Sequence, residues 1–243
     1  MKPQTEGARP VHTPEPHRIR MEYERRNEEI AADRYSWVHA VNRYNHMQVW
    51  NAAIHFLARE GFFPLRGFST LDVGCGRGSW LVDFVQWGVD PRRVAGIDIV
   101  SGRVADARRS LPDADIQVGD ASRMPWADGT FDVVSQFGAF TSVLDTSMRR
   151  RMAAEMLRVL KPQGIILWYD FAFNNPRNAN VRGIKRREIS DLFAGCDVTT
   201  QKIILAPPLA RAVVPVSWIF AQMLEKLPFL RTHLIGTIRK RPR

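Results

Sequence analysis

Two cysteines in 243 residues, Cys75 and Cys196, are too few for a disulfide framework, which excludes the small cross-linked secreted scaffolds. The N-terminus lacks the apolar core of a secretory signal, and no uninterrupted apolar run reaches the roughly 18 to 20 residues of a membrane helix. The longest charge-free stretch near the C-terminus, Ala212 to Leu224, is short and contains Pro215. A soluble protein of a reducing, cytoplasmic compartment is the expectation. The histidines His12, His17, His39, His46, His55 and His233 lack zinc-type partners at binding spacing, so no metal site is expected. Acid is missing from the C-terminal end as well: residues 231 to 243 carry Arg231, Arg239, Lys240, Arg241 and Arg243 with none. Much of the formal charge of +10 sits there, whereas in residues 1 to 34 seven basic side chains face seven acidic ones. A solvated tail is the plain meaning of that charge, and attraction to anionic lipid or a polyanionic substrate is the functional one.

What is present suffices for one sizeable core, since 45% of the residues are hydrophobic. Pro3, Pro10, Pro14 and Pro16 stand among polar residues in 1 to 17, a composition read as a mobile leader within a polar arm over 1–34. A single domain is expected over 35–243. From Arg18 to Glu60 the residues are helix-compatible, and Met47, Trp50, Ile54 and Leu57 recur at helical spacing. After Pro64 short β-rich runs alternate with helix-periodic segments. The runs are Thr70 to Val73, Val94 to Ile99, Ile116 to Val118, Phe131 to Ser135 and Ile165 to Phe171. The segments are Ser79 to Trp87, with Gly88 as its closing residue, Gly102 to Ser110, and Ser147 to Leu160, where Met148, Met152, Met156 and Val159 share a face. This alternation predicts an α/β, doubly wound, mostly parallel sheet with helices on both faces, whose ligands bind beyond the carboxyl ends of the strands.

The chemistry concentrates in Leu71-Asp72-Val73-Gly74-Cys75-Gly76-Arg77-Gly78-Ser79, which closes the first strand and opens the next helix. Glycines at alternate positions let the backbone turn tightly and approach a ligand, with a helix N-terminus beyond. A dinucleotide fingerprint fits neither register: its third glycine would fall on Ser79 or on Leu81. Cys75 sits inside the turn, and nothing near it in sequence would lower its pKa, so it is no candidate nucleophile.

Asp72 to Gly78 resembles the first motif of class I S-adenosylmethionine-dependent methyltransferases, of the small-molecule, bacterial-like type. Further segments arrive in that family's order: Gly96-Ile97-Asp98-Ile99, Gly119-Asp120-Ala121, Met124-Pro125-Trp126 leading to Gly129-Thr130-Phe131-Asp132, and Glu155 to Gly164, with Gln163 where a second glycine is more usual. The resemblance implies S-adenosyl-L-methionine as cofactor and a Rossmann-like sheet of seven strands. Asp197 to Leu205 would be the sixth strand and His233 to Arg239 an antiparallel last one, with Arg187 to Gly195 a short helix. It places Asp72, Gly74, Cys75, Gly76 and Gly78 at the cofactor, Asp98 on the ribose hydroxyls, Asp120 at the adenine amino group, and Ile99, Ala121 and Gln136 beside them. A carboxylate suits a vicinal diol because it has two acceptor oxygens. Methyl transfer from a sulfonium needs alignment, and it needs a base only for a poorly acidic acceptor. Candidates for that base are His46 and Tyr44 on the N-terminal helix, expected to fold over the cofactor, and Asp170 after the fifth strand.

Ser135-Gln136-Phe137-Gly138-Ala139-Phe140-Thr141 lacks the Asn/Asp-Pro-Pro-Tyr/Phe pattern of many amino-methylating enzymes, which directs the expectation to a small-molecule, lipid or glycan acceptor, with oxygen as the acceptor atom and no specific nucleic-acid partner. The alternatives are a non-catalytic cofactor-binding module and a methyltransferase acting on RNA or protein. In the insertion over 207–231, Val216, Ile219, Phe220, Met223, Leu224 and Leu227 fall on one helical face between Pro215 and Pro228. Packing on the sheet, a lid over an apolar acceptor, or an interfacial helix at an anionic membrane would each explain that face. The sequence does not indicate an oligomeric state.

Overall fold

The computed structural model describes residues 14–29, 36–176 and 178–241. Residues 1–13, most of the leader with His12, lie outside them. The chain opens with α1 (Glu15–Glu29) and α2 (Ala40–Arg59), then alternates β1 (Thr70–Val73), α3 (Ser79–Gln86), β2 (Val94–Asp98), α4 (Ser101–Ser110), β3 (Asp115–Val118), β4 (Phe131–Phe137), α5 (Thr146–Val159) and β5 (Leu160–Phe171). It continues with α6 (Arg186–Leu192), β6 (Cys196–Leu205), α7 (Pro207–Val213), α8 (Trp218–Glu225) and β7 (Arg231–Lys240). No helix among the described residues is long and apolar enough to cross a membrane.

The strands form one seven-stranded sheet in the order β3-β2-β1-β4-β5-β7-β6. The first five of these pair in parallel, and β7 runs antiparallel to both β5 and β6. Central strands are apolar on both faces because both are covered. In β5, Ile166 and Trp168 point into a core with Met148, Met152 and Met156 of α5 and Ile189 of α6. The alternate residues Ile165 and Leu167 point into a second core with Val49 and Phe56 of α2, Leu81 and Phe84 of α3, and Val104 of α4. The order reverses at β1, where β2 lies on one side and β4 on the other, and an open sheet forms its ligand crevice at such a point.

One element differs from the sequence expectation, and a second decides among the readings left open. Residues Glu15 to His17, assigned to the leader, begin α1, and Ile19 of that helix is buried in the first core. Its polar composition conceals one packing stripe. Further along, α8 turns Ala221 and Glu225 inward, whereas Val216, Ile219, Phe220, Met223 and Leu227 face solvent.

Candidate active site

Three glycines with positive φ shape the turn after β1, and two of them are required by a close neighbour. A Cβ on Gly74 would stand 2.6 Å from the Ala139 Cβ, so the loop after β4 closes against it. On Gly78, the residue before α3, a Cβ would strike Ala107 of α4. Gly76 differs: with φ at 56°, its missing Cβ faces open space, with only the Arg103 guanidinium at 4.0 Å. Gly74 and Gly78 serve packing, and Gly76 keeps a cavity open.

That cavity, about 850 Å³, lies at the carboxyl ends of β1, β2 and β4, within the size range of small-molecule sites. Asp72, Gly74, Cys75, Gly76, Asp98, Ile99 and Ala121 line it. The Asp98 carboxylate accepts from the Gly76 N–H at 2.9 Å and the Val100 N–H at 2.8 Å, tying the end of β2 to the glycine turn. Burial pushes Asp98 above the usual carboxylate range, although these backbone donors oppose the shift. Asp72 is fully enclosed, accepts from the Ser135 hydroxyl at 2.7 Å, and is raised to about 7 by burial, with Asp98 adding to the rise and Ser135 opposing it. Burial also raises the Cys75 thiol, leaving it protonated and packed beneath Gly96.

The remaining sequence candidates stand off the cavity wall. Asp120 turns back to accept from the Ser122 N–H at 2.8 Å, while its neighbours Gly119 and Ala121 face the cavity. Gln136 is buried behind the wall, donating to the Tyr169 carbonyl and accepting from the Ala139 N–H, both at 3.0 Å. It thereby fixes the loop that meets Gly74. Asp170 accepts from the Thr141 and Phe171 N–H groups and is raised to about 7 by burial. His46 stacks on Trp80 with ring centroids 4.9 Å apart and pairs with Asp83 at 3.2 Å. Tyr44 lies under the insertion, its hydroxyl donating to Glu225 at 2.6 Å. None of the three base candidates lines the cavity.

The helix that covers the site is α1. Ile19, Tyr23 and Arg26 line the cavity, a spacing of four and three residues that gives one face of an otherwise charged helix. Arg18 donates to the Ser142 carbonyl at 2.6 Å, Tyr23 shares a hydrogen bond with the Ser142 hydroxyl at 2.8 Å, and Glu15 accepts from the Leu144 N–H at 2.5 Å. The guanidinium of Arg103 stacks on Tyr23, 4.2 Å from the ring centroid. Apolar residues complete the lining: Trp80 and Phe137 stack face to face at 3.8 Å, and Met148 and Met152 line the cavity from α5, in the same core as Ile19 of α1. Sequence reasoning missed α1, Trp80 and Arg103. The available signals were the stripe in α1 and the position of Arg103 in the first turn of the helix after Asp98. The insertion contributes no lining residue to this cavity.

Residues 70–164 match the family model described as a methyltransferase domain. Among curated relatives, the chain is 36% identical over 107 residues to the demethylmenaquinone methyltransferase of Beutenbergia cavernae, covering 44% of this chain and 42% of that protein. It is 30% identical over 139 residues to phthiotriol/phenolphthiotriol dimycocerosates methyltransferase 1 of Mycobacterium ulcerans, covering 55% and 50% of the two chains. These matches span half or less of the relatives' own length. The solved 1,6-didemethyltoxoflavin-N1-methyltransferase of Burkholderia thailandensis, with S-adenosylhomocysteine bound, superimposes with a TM-score of 0.63 at 17% identity, over 97% of this chain and 94% of that one.

Proposed function

We propose that this chain, whose residues 70–164 match a methyltransferase-domain model, is a class I S-adenosylmethionine-dependent methyltransferase that transfers a methyl group to oxygen on an apolar small molecule or lipid. The observation that carries the reading is a single cavity in which two carboxylates at a glycine turn, Asp72 buried and Asp98 half-buried, share a lining with the apolar aromatic pair Trp80 and Phe137. The residues present fit the cofactor: Gly76 leaves open space and, among the described residues, the buried Arg103 Nε has no hydrogen-bond partner and the Asp72 carboxylate has no counter-cation.

When bound, S-adenosylmethionine supplies an electrophilic methyl carbon on a sulfonium. Asp98 is placed to accept from the ribose hydroxyls with the lone pairs left by Gly76 and Val100. Asp72 balances positive charge in a site screened from water. Ile99 and Ala121 offer apolar edges to a flat base, and Gly119 and Ala121 carry the backbone that would read it. Closure by α1 keeps water out, which strengthens every charge interaction inside. Trp80, Phe137, Met148 and Met152 form the surface on which an apolar acceptor is aligned, and such alignment supplies several kcal/mol of the barrier. With His46, Tyr44 and Asp170 behind the wall, none of these three reaches the acceptor hydroxyl, which favours an acceptor that parts with its proton readily, a phenol over an aliphatic alcohol or a sugar.

The test is calorimetry followed by turnover. S-adenosylmethionine and S-adenosylhomocysteine should bind and NAD should not. Phenolic acceptors should release S-adenosylhomocysteine faster than lipid alcohols. Binding of NAD in place of the sulfonium sinks the reading, and binding with no turnover on any acceptor leaves a cofactor-holding module.

A further inference from the structure

We propose that the outer face of the α7–α8 insertion is a docking surface for an anionic lipid bilayer, which it meets edge-on at the end of the sheet where the cavity lies. The proposal stands on the insertion and is read without turnover, so it survives or fails separately from methyl transfer.

The orientation of α8 is fixed from within. Glu225, buried, accepts from the Ile204 N–H at 2.7 Å and from the Tyr44 hydroxyl at 2.6 Å, while Ala221 packs into a small core with Leu205, Ala210 and Val214. Trp218 and Leu224 pack against the same core, and Trp218 meets the Tyr44 ring edge-on. The apolar residues left over are forced outward: Val216 is 85% exposed, Ile219 73%, Met223 60% and Phe220 52%. Phe229, in the short turn before β7, is 75% exposed beside them. A helix apolar on every side is normally covered on every side, and exposed apolar clusters of this kind mark interaction sites.

Charge selects the occupant. From Val198 to Arg241 the sole acidic residue is Glu225, which is buried, whereas Arg211 and Lys226 lie exposed on the insertion itself. An apolar helical face with basic flanks is the signature of an interfacial helix. Position agrees. β6 ends at Leu205 opposite Arg231, and β5 ends at Phe171 opposite His233, so the insertion sits at the carboxyl edge of the sheet. It lies four strand positions from β1, about 19 Å at the usual strand spacing. Phe171 and Phe173, also exposed, lie between them in the strand order, with the Lys202 ammonium 5.2 Å from the Phe173 ring. The basic residues at the end of β7 take no part: that strand carries them to the opposite edge, where Arg239 pairs with Glu60, Lys240 donates to the Leu160 carbonyl and Arg241 pairs with Asp197.

Flotation with vesicles of phosphatidylcholine mixed with phosphatidylglycerol tests this, against vesicles of phosphatidylcholine alone. The full chain should partition onto the anionic vesicles, and more weakly as salt shortens the Debye length from about 10 Å at 0.1 M to about 3 Å at 1 M. Ile219→Ser with Phe220→Ser, at exposed positions, should leave the melting temperature unchanged and reduce partitioning at least about tenfold. Arg211→Glu with Lys226→Glu should abolish the preference for the anionic vesicles. Wild-type protein that stays with the aqueous phase at low salt, or equal flotation by wild type and the serine double variant, overturns the proposal. So does light scattering that shows a dimer which the serine variant dissociates, because the occupant is then a second copy.

Discussion

At the carboxyl edge of the sheet the glycine turn and the insertion are built in opposite ways. In the turn nearly every polar atom has a partner: Asp98 joins the Gly76 and Val100 N–H groups, Ser135 meets Asp72, and Gln136 holds the loop that touches Gly74. What is left open there is polar and charged, the Arg103 Nε and the enclosed Asp72. In the insertion the buried polar anchor, Glu225 between Tyr44 and Ile204, is complete, and the side chains left exposed on α8 are largely apolar. Each region is finished on the side facing the protein. The difference suggests that unfinished valence states the chemistry of the missing partner: a charged polar molecule for the turn, a greasy surface for α8.

Substitutions separate the two regions. The largest effect is expected from Gly76→Val, whose side chain would enter the cavity at a φ of 56°. Strain from that backbone costs about 1 to 2 kcal/mol, so the domain should remain folded. Cofactor affinity should fall at least about a hundredfold, roughly 3 kcal/mol, by calorimetry. Ile219→Ser with Phe220→Ser should leave that affinity unchanged, and an equal loss would erase the contrast. Next comes Asp98→Ala, which removes acceptors for the ligand and for two backbone donors. Hydrogen bonds to a charged group suggest a loss of about 1.5 to 3 kcal/mol in cofactor binding. An unaltered dissociation constant would remove Asp98 from the ribose.

On the other side, Tyr44→Phe leaves the buried Glu225 with one partner fewer. A stability loss of about 1 to 3 kcal/mol is expected, read as a lower melting temperature, with cofactor affinity unchanged. If affinity falls with it, the insertion is coupled to the cavity and the two regions are not independent.

The turn was more legible in the sequence than the insertion, and the reason is physical. Alternate glycines, a strand-end aspartate and strand-helix alternation are local patterns whose consequences are also local, so the positions of Gly76 and Asp98 followed from spacing. Gly88, at a φ of 107°, closes α3 as its place in the pattern implied. The direction faced by α8 was not legible, because it depends on a contact between Tyr44 and Glu225, far apart in the chain. The same holds for α1: Ile19, Tyr23 and Arg26 are an unremarkable stripe until Ser142 and Leu144 are brought beside them. Asp120 and Gln136 sit where the motif spacing puts them, but spacing cannot say which way a side chain turns: Asp120 turns to the Ser122 N–H, and Gln136 bridges the Ala139 N–H and the Tyr169 carbonyl.

The smallest expected effect is also the most diagnostic, because it uses two carboxyl groups in matched states. Asp72 and Asp170 are both raised to about 7 by burial, but only Asp72 faces the cavity. In the unfolded chain an aspartate titrates near 3.9, so between about pH 4 and 7 the folded state holds protons that the unfolded state has released. Stability of the unliganded protein from these groups should therefore decline as pH rises through that window and level off above it. A bound cation acts differently, since it favours the ionised form of the carboxyl beside it. Cofactor affinity should then rise with pH up to about 7, by at most about tenfold per unit, and be level beyond. Asp72→Asn should flatten the affinity profile while leaving the share of the stability slope that belongs to Asp170. Asp170→Asn should do the reverse. A wild-type affinity that does not change between pH 5 and 8 would mean that the charge on Asp72 is not what the cavity offers its ligand.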